Sequence, residues 1–241
     1  MKRIGIIGGM SYESTLHYYE RINRQVNEAA GGLCSADLVL RSVNFEKYHN
    51  LMEKGDWKTI QDNLRGEAMR LVHYDGCRYV AIATNTMHKI VDGSFAEIPL
   101  VDIRDCVAEQ CKAAGVESVA ILGTKFTMTE GFMKSRLEKN GLKVVGEPTE
   151  RAVEQIDHII FDELCHGKVY PASKQYLRDY CKDLARMKHI GSEPEGIILG
   201  CTELEMILDD ECARWLLDEF GIKLFDTTQA HIDKLAQLCL S

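Results

Sequence analysis

The sequence of 241 residues predicts an α/β fold with two pseudo-symmetric α/β domains, whose mainly parallel sheets face each other across a central active-site cleft. Two observations predict this architecture. Short apolar segments alternate with segments of helical period along the chain, which is the order of elements that builds parallel sheets. The chain also repeats itself, because 76 residues separate Gly8 from Thr84 and 78 separate Gly123 from Cys201. Each interval runs from a glycine at one strand end to a polar triplet at another, which indicates two related halves.

The first half of the chain contains four predicted strands and two predicted helices. Ser11 follows the tight turn Gly8-Gly9-Met10 and is suited to cap the first helix, since its hydroxyl can accept a hydrogen bond from a backbone N–H of the first turn. The polar stretch 44–56 is predicted to be a loop. Strands are expected over 4–8, 38–43, 79–83 and 98–103, and helices from Ser11 to about residue 30 and over 57–74.

The second half repeats this alternation, with strands expected over 118–122, 142–145, 196–200 and 222–225. Thr127 and Glu130 have the spacing of a capping box, which predicts a helix that starts there and ends by Gly141. Further helices are expected over about 150–165 and 172–187 and at the end of the chain. All 4 prolines fall between predicted elements, which supports the segmentation. The first domain is expected to comprise 1–98 plus 210–241, and the second 99–209.

Composition argues against several classes of protein. The net charge of −8 and the absence of a basic stripe argue against nucleic-acid binding. No run approaches the ~20 apolar residues that span a membrane. The 9 cysteines show neither a CxxC pair nor a Cys/His ligand spacing, so no metal site is expected. Scattered thiols without a disulfide framework are typical of a reducing compartment, and a cytoplasmic protein is expected.

Cys201 is the strongest candidate for chemistry, because it directly follows the apolar strand predicted over 196–200. In open α/β sheets, ligands bind at the carboxyl ends of the strands. A thiol there can act as a nucleophile and as a proton carrier near neutral pH. A helix beginning at Thr202 would point backbone N–H groups at the thiolate and lower its pKa. The competing interpretation is a buried structural thiol, which is common beside apolar strand residues.

Four short motifs occur in order and with near-equal spacing: Gly8-Gly9-Met10-Ser11, Ala83-Thr84-Asn85-Thr86-Met87-His88-Lys89, Leu122-Gly123-Thr124 and Gly200-Cys201-Thr202-Glu203-Leu204. Together they resemble the aspartate/glutamate racemase family over essentially the whole chain. The resemblance implies a fold with two facing cysteines that work without cofactor or metal. One cysteine removes the α-proton of an amino-acid dicarboxylate, and the other protonates the opposite face. A homodimer is also expected, in line with the general tendency toward twofold pairs.

The sequence departs from the family at Thr84, the position that resembles the first catalytic cysteine, whereas Cys201 matches the second. An aliphatic alcohol has a pKa far above that of a thiol and cannot carry a proton at neutral pH. Since the second cysteine of the family attacks the L-enantiomer, the resemblance implies a preference for L-aspartate or L-glutamate. Thr84, or a water that it positions, would return the proton poorly. A second departure, Cys-Thr-Glu instead of Cys-Thr-His, favours the broader amino-acid racemase branch.

Substrate binding is assigned by the resemblance to residues beside these two catalytic positions. Asn85, Thr86 and Thr202 are expected to hold the α-carboxylate and the ammonium group, and His166 or its neighbour Lys168 the distal carboxylate. Each site also has a purely structural interpretation. The triplet would form a strand-end turn whose side chains cap a helix, Met10 a tight turn between strand and helix, and Thr124 the loop before the cap at Thr127. The expected substrate-binding residues are Met10, Asn85, Thr86, Thr124, His166, Thr202 and Glu203.

The leading hypothesis is therefore a cofactor-independent racemase of aspartate or glutamate, with Cys201 as the thiolate base and Thr84 at the opposite catalytic position. Two alternatives stay open. One is a single-cysteine reaction such as the decarboxylation of a malonate, in which a thiol protonates an enediolate and no facing base is needed. The other is a catalytically silent relative that only binds an amino acid.

Overall fold

The computed structural model describes residues 1–186 and 194–241, and these form two compact units. The first unit comprises Met1–Ile103 and His231–Ser241, and the second comprises Arg104–Ala230. Each unit contains one parallel sheet flanked by helices, so the predicted α/β class with two parallel sheets is confirmed. None of the helices described is long and apolar enough to cross a membrane.

The sheet of the first unit has three parallel strands in the order β2-β1-β3. The central strand β1 is buried at every position. Gly5 within it allows a helix to approach the sheet closely, because an added Cβ would lie 2.9 Å from the side chain of Leu71. The strands are β1 Ile4–Gly8, β2 Leu38–Ser42 and β3 Tyr79–Ile82, and the helices are α1 Tyr12–Ala30, α2 Phe45–Glu53 and α3 Trp57–His73.

The sheet of the second unit has four parallel strands in the order β5-β4-β6-β7. Strand β6, the predicted strand before Cys201, is buried at all five positions. The strands are β4 Ser118–Gly123, β5 Lys143–Val144, β6 Gly196–Gly200 and β7 Lys223–Asp226. The remaining helices are α4 Ile103–Ala113, α5 Lys125–Thr129, α6 Phe132–Lys139, α7 Glu150–His158, α8 Pro171–Arg186, α9 Asp210–Phe220 and α10 Thr227–Leu240.

The loop predicted over 44–56 is wrong, because most of this stretch is helix α2. The side chain of Asn44 caps the helix by accepting a hydrogen bond from the backbone N–H of Glu46 at 3.1 Å. Tyr48 and Met52 are buried, one helical turn apart. Polar residues at the other positions hide this single apolar stripe in a composition-based prediction.

The strand predicted over 98–103 is also wrong, since only Leu100 forms a parallel bridge, to Val80 of β3. Pro99 has no N–H to continue a ladder, although its carbonyl accepts a hydrogen bond from the N–H of Val80 at 3.0 Å. The chain then enters α4 at Ile103.

The predicted capping box at Thr127 is wrong, because the helix starts earlier. The hydroxyl of Thr124 caps α5 and accepts a hydrogen bond from the N–H of Thr127 at 3.4 Å. Gly131, with φ of 77°, then separates α5 from α6, so the single predicted helix is two short ones. A left-handed backbone conformation favours glycine at this position.

The helices predicted over 150–165 and 172–187 differ from those observed mainly at their ends. Helix α7 ends at His158, and the chain continues as a π-helical turn over Ile159–Glu163 and a 3-10 turn over Leu164–His166. Helix α8 begins at Pro171, where the missing N–H costs no hydrogen bond, and it is described to Arg186. The predicted last residue of this helix, 187, lies outside the described residues.

The unit boundaries of the structure differ from the predicted domains of 1–98 plus 210–241 and 99–209. The segment 99–103 belongs to the first unit, where Leu100 bridges to β3. The segment 210–230 belongs to the second unit, because β7 pairs with β6, Ile197 lying opposite Leu224. Both differences arise from pairing between segments that are far apart in the sequence. The alternation of strands and helices along the chain does not predict which segments pair.

Candidate active site

Cys201 lies at the carboxyl edge of the second sheet, directly beyond the buried strand β6. The register pairs Gly123 with Gly200, so Thr124 and Cys201 leave the sheet side by side. The strands approach closely at this point, because a Cβ added at Gly123 would lie 2.8 Å from the carbonyl oxygen of Gly200. The structure thus brings together the predicted site residues of two different strand ends.

The thiol of Cys201 is hydrogen-bonded to the carboxylate of Glu203. The Sγ atom lies 3.0 Å from Oε2 of Glu203, and the hydroxyl of Thr202 donates to the same oxygen at 2.7 Å. All three side chains are buried, with exposed fractions of 6%, 5% and 3% for Cys201, Glu203 and Thr202. Sequence analysis assigned Glu203 to substrate binding; the structure shows it in contact with the catalytic candidate itself.

The pKa of the Cys201 thiol is raised well above its ordinary value. Burial is the largest cause, and the negative charge of Glu203 is the next. Both disfavour the thiolate, so the thiol is protonated in the ligand-free chain and donates its hydrogen to Glu203. The pair is therefore a hydrogen-bonded thiol and carboxylate in which the proton lies on sulfur.

The helix predicted to begin at Thr202 is absent. The chain instead forms a 3-10 turn over Leu204–Met206, and the next helix, α9, starts at Asp210. The N–H of Leu204 donates to the carbonyl of Cys201 at 3.2 Å. The expected lowering of the thiol pKa by a helix dipole is therefore wrong, and the opposite shift, caused by burial and by Glu203, is found.

Thr124 is buried and has a clear local role. Besides capping α5, its hydroxyl lies 3.1 Å from the hydroxyl of Thr127. The sequence places this residue in the loop before a cap at Thr127, whereas in the structure Thr124 is itself the cap. Thr124 also lies beside Cys201, where the predicted contact with a substrate would be made.

The turn after β7 was not among the predicted site residues, although it ends at the same edge of the sheet. Leu199 pairs with Asp226, which places the next residues beside the end of β6. The hydroxyl of Thr227 donates to the carbonyl of Leu199 at 2.7 Å, and Asp226 accepts from the N–H of Thr228 at 2.8 Å. The hydroxyl oxygen of Thr228 is buried and has no hydrogen-bond partner within 1–186 and 194–241. The paired strand order, which sequence alone does not give, identifies this turn.

His166 and Lys168 are exposed, and the turn that carries His166 packs near Cys201. Leu164 and Cys165 of this turn pack into the apolar cluster that contains Cys201. The pKa of the Cys165 thiol is raised, first by burial and then by the charge of Glu203. The segment therefore lies close to the Cys201–Glu203 pair, and its basic side chain is solvent-accessible.

The polar triplet of the first unit follows β3 after one residue, Ala83, and is buried. Thr84, Asn85 and Thr86 are 8%, 2% and 6% exposed. The chain enters a 3-10 turn over Thr86–Ile90, and Asn85 makes no side-chain capping hydrogen bond to it. The N–H of Thr84 donates to the carbonyl of Ile82 at 2.9 Å. The capping alternative for Asn85 is therefore not observed, and the triplet stands at the carboxyl edge of its own sheet.

Met10 belongs to the corresponding turn after β1 and is buried. Gly9 precedes it with φ of 90°, and its N–H donates to the hydroxyl of Thr15 at 2.8 Å. The predicted cap is confirmed, because the hydroxyl of Ser11 accepts from the N–H of Ser14 at 3.2 Å. Met10 thus lies at the same edge of the first sheet as the polar triplet, since β1 and β3 are parallel neighbours.

Across 1–186 and 194–241, no group of three or more His, Cys, Asp or Glu side chains is arranged to hold a metal ion. All nine cysteines are free of disulfide bonds.

Comparison with known proteins identifies the family. The model of the Asp/Glu/Hydantoin racemase family matches residues 7–235. A putative Asp/Glu racemase from Yersinia pestis is 37% identical, with a TM-score of 0.86 and 100% of both chains covered. An aspartate racemase homologue from Pyrococcus horikoshii OT3 is 32% identical, with a TM-score of 0.79 and the same coverage. The aspartate racemase of Picrophilus torridus shares the fold, at 16% identity and a TM-score of 0.67, over 99% of this chain and 94% of that one. The chain belongs to the Asp/Glu/hydantoin racemase family.

Proposed function

We propose that the protein is a cofactor-independent racemase of aspartate or glutamate in which Cys201 transfers the α-proton. One observation carries the proposal: a buried thiol at the carboxyl edge of a parallel sheet donates to the carboxylate of Glu203 at 3.0 Å. Membership of the racemase family gives the reaction class, and the two relatives above 30% identity bear the names of racemases of acidic amino acids.

Glu203 supplies what a protonated thiol needs to become a base. When the thiol proton passes to the Glu203 carboxylate, the carboxylate becomes neutral, and the repulsion that it exerted on the thiolate is removed. The thiolate then takes the α-proton, and the electron pair of the Cα–H bond moves into the substrate α-carboxylate to give an enediolate. Thr202, which donates to the same carboxylate oxygen, holds that oxygen in place.

Inversion also needs proton transfer on the other face of the Cα atom. The sequence repeat assigns this face to Thr84, whose alcohol is far too weak an acid to share the proton freely. The two enantiomers have equal free energy, so kcat/KM must be equal for L-to-D and D-to-L conversion. A preference for the L-enantiomer therefore means that its α-proton exchanges with solvent through Cys201 faster than the molecule inverts.

The substrate contacts are proposed from the polar residues that flank the two strand edges. Asn85, Thr86 and Thr202 would hold the α-carboxylate and ammonium group, whose charges need hydrogen-bond donors and acceptors in a buried site. The exposed basic side chain of His166, or of Lys168, would meet the distal carboxylate. Such a local cation is required because the chain carries a net charge of −8 and repels anions overall.

Decarboxylation of a malonate is a second candidate, favoured by the protonated state of Cys201. A thiol whose pKa is raised is a ready proton donor, and loss of CO₂ from a malonate gives an enediolate that needs one proton on one face. No second acid-base group is then required, which agrees with an alcohol at position 84. The third possibility is an amino-acid-binding protein without turnover.

We also propose a homodimer and a cytoplasmic location. The free thiols agree with a reducing compartment. Helix α1 exposes Tyr12, Leu16 and Tyr19, which follow one another at helical spacing, and a second copy of the chain would cover this stripe. The solution mass of the wild type and of Leu16→Glu, measured by light scattering, tests the pairing: a dimer that dissociates in the variant supports it, and a monomeric wild type contradicts it.

The experiment for the reaction class offers purified protein L-aspartate, L-glutamate and an arylmalonate in parallel. Chiral chromatography follows the D-enantiomers, and CO₂ release follows decarboxylation. We expect a D-product from an acidic amino acid and its loss in Cys201→Ala. Product only from the malonate would establish the decarboxylase, and measurable amino-acid binding without any turnover would establish the binding protein.

A further inference from the structure

Two fully buried histidines lie in the first unit, beside the turn that carries Thr84. His88 and His231 are each 0% exposed, and their rings contact edge to face with centroids 6.5 Å apart. Sequence analysis noted His88 only as part of a motif and did not single out His231. Buried imidazoles are costly unless both ring nitrogens have partners, so their contacts indicate what they hold.

His88 links the Thr84 turn to the segment at which the chain leaves the first unit. Its Nδ1 atom lies 2.9 Å from the backbone carbonyl oxygen of Thr84. A carbonyl only accepts hydrogen bonds, so Nδ1 carries a proton and donates it. The opposite nitrogen, Nε2, faces the backbone N–H of Ile103 at 3.5 Å and the carboxylate of Asp102 at 3.9 Å. One side chain thus spans from the end of β3 to residues 102–103.

His231 joins the two points at which the chain crosses between the units. The chain leaves the first unit after Ile103 and returns at His231. The Nε2 atom of His231 donates to the carbonyl of Val101, and its Nδ1 atom accepts from the hydroxyl of Tyr18, both at 2.9 Å. Burial lowers the pKa of His231 to about 3, so the ring stays neutral and both bonds persist at ordinary pH.

We propose that His88 is a positioning residue for Thr84. By holding the Thr84 carbonyl against residues 102–103, it fixes the main chain that carries the Thr84 hydroxyl at a place where no regular helix does so. The inference rests on the proposed function, in which Thr84 serves the face of the substrate opposite Cys201. Proton transfer is sensitive to such placement, since a shift of about 1 Å costs on the order of a hundredfold in rate.

The test compares His88→Asn with His88→Gln. The amide nitrogen of asparagine reaches the position of Nδ1 and can still donate to the Thr84 carbonyl, whereas that of glutamine reaches the position of Nε2. The readout is the ratio of inversion to α-proton exchange for the L-substrate in D₂O. We expect His88→Gln to lower this ratio about tenfold to a hundredfold and His88→Asn to keep most of it. Exchange itself should continue, because Cys201 and Glu203 belong to the other unit.

Tyr18→Phe is the matched control, because it removes the partner of His231 without touching Thr84. It should lower the free energy of unfolding and leave the ratio unchanged. Equal ratios in His88→Asn and His88→Gln, or a ratio that falls with stability in Tyr18→Phe, would overturn the positioning role.

A second readout separates this inference from the proposed function. Relaxation of the Thr84 side-chain methyl group, measured by NMR, needs no activity. Greater mobility of this methyl group in His88→Gln than in His88→Asn supports the positioning role, whether or not the protein is active. Wild-type protein that exchanges no α-proton would contradict the proposed racemase function and not the positioning role. Equal mobility in both variants would overturn the inference while leaving an active racemase intact.

Discussion

The Sγ atom of Cys201 lies 3.0 Å from Oε2 of Glu203, and the thiol donates its hydrogen to that carboxylate. The two residues are separated by a single position in the chain and are both buried beyond the end of β6. In the proposed mechanism, this pair lets a thiol whose pKa is raised by burial and by a neighbouring negative charge supply a base. The carboxylate that disfavours the thiolate is also the group that can take its proton.

Glu203→Gln should lower the pKa of the Cys201 thiol, because the substitution removes a negative charge while keeping the side-chain size. It should also lower the exchange rate by about 10²–10⁴-fold, since the proton acceptor is lost. The ultraviolet absorbance of the thiolate, taken as a difference from the same variant with Cys201→Ala, gives the pKa. Glu205→Gln removes the same charge two residues away and serves as the control. An unchanged thiol titration in Glu203→Gln would mean that the pair has no electrostatic role.

Thr84→Cys should raise inversion in both directions, because a thiol on the second face can share a proton near neutral pH. Exchange of the D-enantiomer's α-proton should rise in parallel, while exchange of the L-enantiomer, which uses Cys201, should change little. Thr84→Ser keeps an alcohol and is the control. If D-enantiomer exchange stays at the wild-type rate in Thr84→Cys, residue 84 does not serve the substrate.

Substitution by valine should change the free energy of unfolding in opposite directions at the neighbouring residues Thr227 and Thr228. Thr228→Val replaces by a methyl group a buried hydroxyl that has no partner in the described part of the chain, and should raise the free energy of unfolding by about 1 kcal/mol. Thr227→Val removes the donor to the Leu199 carbonyl and should lower it by about 1–3 kcal/mol. Urea denaturation of the two variants measures both changes. Destabilisation by Thr228→Val would show that its hydroxyl is satisfied in solution.

His231 should make stability depend on pH below neutrality. Its pKa is lowered from 6.5 to about 3, first by burial and then by His88. Between these values the unfolded chain binds a proton that the folded chain does not, so stability is lost as the pH falls, at about 1.4 kcal/mol per unit. In His231→Gln this contribution disappears, and the slope of unfolding free energy between about pH 4 and 6.5 should flatten by that amount. Equal slopes in the wild type and in His231→Gln would refute the assignment.

Apart from the strand expected over 98–103, the predicted strands and the sheet edge that carries Cys201 follow from the sequence, because these features depend on local pattern. Strand β6 is apolar throughout and is followed by a polar turn, so the position of Cys201 is visible without a structure. The hydroxyl of Ser11 caps α1 as its residue type and position indicate. Such features need only a few neighbouring residues.

The helix expected at Thr202 shows where local pattern stops being sufficient. Leu204, Ile207 and Leu208 are buried at spacings that suit a helix, yet Asp209 caps α9 by accepting from the N–H of Cys212 at 3.0 Å, so the regular helix starts later. Periodicity does not distinguish a 3-10 turn from the first turn of an α-helix. The Cys201–Glu203 hydrogen bond depends on this turn geometry and for that reason was not predicted.

Long-range pairing accounts for the remaining differences. His88 and His231 lie 143 positions apart in the sequence. Strands β6 and β7 pair with each other, although the sequence placed them in two different domains. Neither relationship has a local signature. The contacts around Thr84 therefore depend on the tertiary structure of the first unit.

Exchange of the substrate α-proton in D₂O tests the central claim, that Cys201 transfers this proton, most directly. Wild-type protein is incubated with L-aspartate or L-glutamate, and mass spectrometry follows the gain of one deuterium in the recovered L-enantiomer. We predict exchange by the wild type that is faster than inversion, and its loss in Cys201→Ala, with Cys212→Ala, at a buried thiol outside the site, unchanged. Exchange that persists in Cys201→Ala, or no exchange by wild-type protein that binds the substrate, would contradict the account.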